Sequence, residues 1–273
     1  MRTLKLTVAY DGTELAGWQR QASGRTVQGL LEDALTRIEG GPVSVVGSGR
    51  TDAGVHASGQ VASVSVTNRL DPLTLRHALN ANLPTDVRVL DVAEAPAGFD
   101  ARRDAAQKTY EYRILNGVIA SPFTRRFVWL VPQPLDIDAM ARAAARLVGR
   151  HDFASFQSTG SSAATTCRTI RESQLVQDGP RELAERFSPI PMIAPADDAS
   201  SVRLRYRIAG DGFLRHMVRT IVGTLVEIGL GRREADSVGA IMEARDRAEA
   251  GPTAPAHGLC LVRVEYSSVA SGH

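Results

Sequence analysis

The sequence predicts an α+β protein made of two similar halves, and three observations carry that expectation. Segments alternating apolar and polar residues give way repeatedly to segments with helical spacing. The order strand, helix, strand, strand, helix, strand fills the first hundred or so residues and returns approximately in the remainder. A joining stretch near residues 96–107 separates the two runs. With 273 residues, 43% of them hydrophobic, the chain is long enough to bury a sizeable core without disulfides.

Leu4 to Tyr10 alternates, with Leu4, Leu6 and Val8 on one face, and stops at the turn signal Asp11-Gly12. From Thr26 to Ile38 the apolar residues Val27, Leu30, Leu31, Leu35 and Ile38 keep helical spacing, with Thr26 as cap and Gly40-Gly41 as stop. Val43 to Val46 and Gln60 to Thr67 read as strands on either side of a Gly-rich segment. Asp71 to Leu83 then reads as a helix and Val87 to Val92 as a strand. This is the ferredoxin-like or RRM-like order. In the second half, Thr109 to Leu115 and Phe127 to Val131 are expected strands, followed by an Ala-rich helix at Ile137 to Leu147. Strands at Thr169 to Val176 and Val202 to Ala209 precede a long helix at Phe213 to Ile228. A short helix at Ala235 to Ala244 and a strand at Leu259 to Tyr266 close the order. The division expected is 1–98 and 99–273, with antiparallel sheets meeting at a central cleft, where ligand sites are favoured. Residues 178–200, rich in Pro, Asp and Ala, read as a flexible surface insertion, and the small polar tail from Ser267 to His273 as frayed.

Of the 32 Lys and Arg residues only Lys5 and Lys108 are lysines. Arginine offers a permanently charged fork for phosphates and stacks on bases, but a GC-rich genome gives the same bias, and the richness in Ala, Gly and Val points that way too. The net charge of +2 decides nothing by itself. Its distribution says more. Residues 201–233 sum to +5 and residues 99–128 to +3, whereas 178–200 and 234–250 each sum to −3. The two basic stretches suit a nucleic-acid footprint or a set of solvated faces. Cys167 and Cys260 lack any CxxC or zinc spacing and read as reduced thiols. The opening MRTLKLTVAYDG has no long apolar stretch and does not read as a secretory signal, and no segment approaches a membrane span, so a soluble cytoplasmic protein is expected.

The stretch from Gly47 to His56, GSGRTDAGVH, is glycine-dense and runs straight into a strand. It reads as a tight loop where backbone approaches a ligand. No GK[ST] follows and the next element is not a helix, so it is no phosphate cradle. Arg50 and Asp52 stand two apart at its centre, able to meet if the loop bends. An Asp there serves as a nucleophile, as an acid/base group or as half of a structural ion pair, and composition does not separate these.

GRTDAGVHASGQV resembles the catalytic loop of pseudouridine synthases, specifically the tRNA pseudouridine synthase A family. YDGTELAGWQRQ at 10–21, TVQGLLEDAL at 26–35, LNANLP at 79–84 and FDARRDAAQKTYEY at 99–112 resemble further family segments in the family's order. So do the segment at 149–156 ending in HDFASF, FLRHMVRTIVG at 213–223 and LCLVRVEY at 259–266. The resemblance implies an isomerase that converts uridine to pseudouridine at positions 38, 39 and 40 of the tRNA anticodon arm, without cofactor or metal. It implies a homodimer whose partner is tRNA, with each tRNA bridging two subunits, and no membrane.

By the same resemblance Asp52 is the essential catalytic residue. Arg50 holds the vacated stack and pairs with Asp52, Arg219 pairs with it as well, and Tyr110 stacks on the flipped base and assists proton removal at C5. Leu259 and Leu261 resemble the floor under the uracil. Arg69, Phe99, Asp100, Ala101, Arg102, Arg103 and Arg168 are the expected tRNA contacts, positioning the substrate without reading bases. Thr109 stands where the family often has Arg, and Leu15 where it commonly has Phe, a packing change. His56 and His216 read as structural or RNA-contacting. Two rival classes remain. A non-catalytic RNA-binding module is set against the presence of Asp52 with Arg50, Tyr110 and Arg219. A glycosidase needs a second carboxylate in a comparable motif, and none is found.

Overall fold

The computed structural model of the chain describes residues 1–158, 164–178 and 201–267. The expected insertion at 178–200, apart from Asp178, and the tail beyond residue 267 lie outside the described residues. The chain forms two compact units, Met1–Lys108 with Cys260–His273, and Thr109–Leu259. Each is mixed α+β, as the alternation predicts.

The first unit runs β1 (Arg2–Tyr10), α1 (Val27–Glu39), β2 (Val45–Gly47), β3 (His56–Val66), α2 (Pro72–Asn82) and β4 (Val87–Ala95). β1 lies between β4 and β3, antiparallel to both. The other edge of β3 takes β2 at one end, pairing Val45 with Val64, and β10 (Leu259–Tyr266) at the other, where Cys260 and Leu261 pair in parallel with His56 and Ala57. Local chemistry sets the helix ends. The Thr26 hydroxyl accepts the Gly29 N–H, and the Asp71 carboxylate accepts the Thr74 N–H with Pro72 at the first helical position. Leu4, Leu6 and Val8 of β1, Val27, Leu31 and Leu35 of α1, and Leu75 and Leu79 of α2 are all fully buried. Each such side chain contributes roughly 1.5–3 kcal/mol.

In the second unit β5 (Ala105–Asn116, from Thr109 onward), α3 (Ile137–Ala145), β8 (Cys167–Gln177), β9 (Val202–Gly210) and α4 (Met217–Gly229) repeat the strand, helix, strand, strand, helix order. β6 (Trp129–Val131), β7 (Gly149–Asp152) and α5 (Ser237–Ala244) are added to it. The strand order is β5-β9-β8-β7, with β6 parallel to the end of β5. Asp136 caps α3 by accepting the Ala139 N–H at 2.8 Å. Several boundaries depart from the periodicity; β3 begins at His56 rather than Gln60 and β5 at Ala105 rather than Thr109. The helix expected from Phe213 begins at Met217, because His216 adopts a left-handed backbone at φ 63 and breaks the helical run. Arg219 therefore sits in the first turn rather than mid-helix. β7, four residues ending in a His-Asp pair, carries no alternating signal and was not expected.

Candidate active site

The glycine-dense loop of the first unit is pinned by backbone on one side and by a buried polar cluster on the other. The Trp18 N–H donates to the Thr51 carbonyl at 3.0 Å, and the Gly54 N–H donates to Leu15 at 3.3 Å, so residues 15–18 form its wall. Gly17 makes that approach possible. Its φ is +96, and a Cβ there would lie 2.7 Å from the Thr51 carbonyl oxygen. Leu15 and Trp18 are buried behind it, so Leu15 serves the packing expected of it.

On the inner side Gln60, fully buried in β3, uses every hydrogen-bonding capacity of its amide. Its oxygen accepts from the Ser48 hydroxyl at 2.7 Å and the Val61 N–H at 3.1 Å. Its nitrogen donates to the Gly49 carbonyl at 3.0 Å and to the Tyr10 hydroxyl at 3.4 Å. These partners fix which end of the amide is which. The hydroxyls of Tyr10 and Thr51 share a hydrogen bond at 2.8 Å. Burial drives the Tyr10 pKa upward and keeps the phenol neutral. The β1–β3 register shifts between Val8 and Tyr10, which re-aims Tyr10 at the loop. Ser48, Gly49 and Thr51 are thus fixed on either side of Arg50.

Within this frame Asp52 is half-buried and Arg50 is exposed. Lys108 lies alongside, its Cε 3.5 Å from where a Cβ of Gly49 would stand. His56 closes the loop. Its Nδ1 accepts the Gly12 N–H at 3.0 Å, and Asp11 Oδ1 lies 3.2 Å from the same nitrogen. These contacts tie the start of β3 to the turn at Asp11 and Gly12. Leu261, fully buried, runs in register with Ala57 just after the loop.

The expected contacts Phe99 to Arg103 form one turn. Asp100 Oδ1 accepts the N–H groups of Arg102 and Arg103, each at 2.8 Å. Arg103 is held by Asp104 at 2.9 Å and by the Gly98 carbonyl at 2.7 Å. Ala101 is fully buried, its N–H on Ser63 and its carbonyl accepting the Tyr266 hydroxyl. Phe99 meets the Tyr266 ring edge-on at 5.0 Å. The exposed members of this group are Arg102 and Arg103, and Arg69 is exposed on the connection before α2.

Tyr110, Arg219, Leu259 and Arg168 belong to the second unit. Tyr110 is buried in β5 with the edge of its ring against Phe213, centroids 5.1 Å apart. Arg219 donates Nε to the Ala254 carbonyl at 2.8 Å, and the Ala254 N–H returns a bond to the Arg219 carbonyl at 3.0 Å. The chain reaches that position because Gly223 has no side chain, since a Cβ there would lie 1.7 Å from the Pro252 carbonyl oxygen. Tyr112, on the same strand as Tyr110, donates to the Pro255 carbonyl at 2.7 Å. Its phenol is pushed well up by burial, against the lowering charge of Arg219. Arg168 is held by the Thr165 and Cys167 carbonyls at 2.8 and 2.6 Å, and Leu259 is buried. Among the described residues no group of three or more His, Cys, Asp and Glu could hold a metal ion, and no helix is long and apolar enough to cross a membrane.

Sequence reasoning passed over Tyr10, Ser48, Thr51 and Gln60. The available signal was Gln60 itself, a long amide in a strand that otherwise alternates Val, Ala and Ser.

The tRNA pseudouridine synthase family profile matches residues 6–102 and 143–267. The chain is 45% identical to tRNA pseudouridine synthase A of Moorella thermoacetica over 97% of its length and all of that protein. It is 43% identical to the protein of the same name from Syntrophotalea carbinolica, over 98% of this chain and 97% of that one. For the Nitratidesulfovibrio vulgaris protein the identity is 44%, over 97% and 100%. A match that covers both sides of the pinned loop and nearly the whole chain places this protein in the tRNA pseudouridine synthase family.

Proposed function

We propose that this isomerase converts uridine to pseudouridine at positions 38, 39 and 40 of the tRNA anticodon arm, with Asp52 as its essential residue. The observation that carries the reading is the loop geometry: a half-buried carboxylate follows Thr51, whose hydroxyl and carbonyl are both held by the surrounding core. In the reaction the N1–C1′ bond breaks, the uracil rotates, C5–C1′ forms, C5 loses its proton and N1 takes one up. Nothing enters or leaves overall, so the chemistry asks for no co-substrate.

Bond cleavage builds positive charge on the ribose, and a fixed carboxylate stabilises it without reorganising. The target lies in a stem and is flipped out to be reached. Arg50 fills or props the vacated stack and pairs with Asp52. Arg219 pairs with Asp52 also, Tyr110 stacks on the flipped base and assists at C5, and Leu259 and Leu261 floor the uracil. Arg69, Arg168 and the turn from Phe99 through Asp100, Ala101, Arg102 to Arg103 position the RNA backbone. In this reading residues 1–98 supply the catalytic loop and 99–273 the tyrosine and helix arginine. The enzyme works in the cytoplasm as a homodimer, each tRNA bridging two subunits.

Chemical mapping of pseudouridine in unmodified tRNA tests activity and position together. The wild type converts positions 38, 39 and 40, while Asp52→Ala converts none and keeps tRNA affinity within about an order of magnitude. Wild-type turnover by Asp52→Ala would sink the mechanism, and modification elsewhere on the tRNA would sink the site assignment.

A further inference from the structure

We propose that the loop of residues 117–128, between β5 and β6, is a preformed RNA platform on which an unpaired base stacks against Phe123 while Arg125 holds a neighbouring phosphate. It rests on the proposed tRNA substrate, and no part of the chemistry above uses it.

The loop is built rather than slack. At its base the Asn116 amide donates to the carbonyls of Val131 and Gln133 at 2.8 and 2.7 Å, and the Gly117 N–H donates to Val131 at 3.1 Å. At its tip the buried Ser121 accepts three N–H groups. Its carbonyl takes those of Thr124 and Arg125 at 3.0 and 2.9 Å, and its hydroxyl takes that of Phe123 at 3.3 Å. The Phe127 N–H closes on the Thr124 carbonyl at 2.8 Å.

A loop so tied has already met its ordering cost, yet it leaves its large apolar side chains in water. Phe123 is 69% exposed, Val118 66% and Ile119 63%. These are the three most exposed large hydrophobic side chains after Met1 among the described residues. Leaving apolar area out is unfavourable by roughly 25 cal/mol per Å² and marks an interaction surface.

Charge selects the partner. From Tyr112 to Leu135 the chain contains no acidic residue, only Arg113, Arg125 and Arg126. Arg125 and Arg126 are both exposed. An exposed aromatic face beside arginines, with no carboxylate in the segment, matches single-stranded RNA, where base stacking is sequence-tolerant and the backbone is anionic.

The test measures binding of an unmodified tRNA transcript to the full chain at several salt concentrations, with solution mass recorded alongside. Phe123→Ala is expected to weaken tRNA binding about tenfold, with unchanged mass and melting temperature, and Phe123→Trp to restore it. Arg125→Ala is expected to make the slope of log affinity against log salt shallower by about one. Wild-type tRNA affinity in Phe123→Ala overturns the platform. So does a loss of affinity that follows dissociation of the protein, since the patch would then be covered by a second copy of the chain. Failure of the wild type itself to bind tRNA sinks the substrate reading instead, so the two failures are distinguishable.

Discussion

The loop at 47–56 in the first unit and the stretch at 251–258 in the second solve the same problem in opposite ways. Both bring two backbone segments into close approach through a glycine, Gly17 of the neighbouring loop in one case and Gly223 of α4 in the other. In the first, the side chains of Gln60, Tyr10 and Ser48 join backbone bonds in holding the loop, and the loop carries the carboxylate. In the second, backbone holds side chains: the carbonyls of Ala254 and Pro255 fix Arg219 and Tyr112, which sit on a helix and a strand. A short Asp has little reach and must be delivered by its backbone. Arginine and tyrosine have long side chains, so their far ends need steadying by something rigid nearby.

Breaking each arrangement sharpens the contrast. The largest effect is expected from Asp52→Ala, a loss of pseudouridine formation of about a thousandfold or more, read in single-turnover assays. Next comes Gly223→Ala. The new methyl group meets the Pro252 carbonyl, and the second unit is expected to lose about 3 kcal/mol, visible as a lowered denaturant midpoint. Gln60→Ala removes four hydrogen bonds around the loop and should slow turnover about tenfold while leaving KM for tRNA nearly unchanged. An equal rise in KM would show that the cluster serves binding. Tyr112→Phe deletes one bond to Pro255 and should cost about 1 kcal/mol in urea unfolding, with the fold intact.

The smallest effect belongs to His257. Burial holds its pKa below the ordinary 6.5, aided by the Arg219 charge and opposed by a hydrogen bond with the Val128 backbone. Below pH 6.5 the unfolded chain takes up a proton that the folded state resists, so this group's contribution to stability is present above 6.5 and lost as pH falls. His257→Gln should flatten that acid limb in melting temperature against pH.

Much of the fold was legible because local patterning decided it. Leu4, Leu6 and Val8 alternate as they do because one sheet face is buried. Thr26, Asp71 and Asp136 announce helix starts because their side chains satisfy amides that the helix leaves open. The beginning of α4 was not legible. A left-handed His216 obeys contacts made after folding, and apolar spacing through Phe213 and Leu214 mimics one more helical turn. The candidate residues were named from motif order alone. Composition left Asp52 undecided between an ion pair and a reactive group, since loop sequence does not state what surrounds it.

The sequence by itself determined the family, the order of elements and the short list of residues, because motif identity and hydrophobic period are properties of a one-dimensional string. Only the tertiary structure decided that Gln60 and Tyr10 brace the loop and that Gly17 and Gly223 admit backbone where a methyl group would not fit. It also decided that Phe123 stands in water on a tied loop. Each of those depends on distances between residues far apart in the chain, and such distances arise only when the core closes.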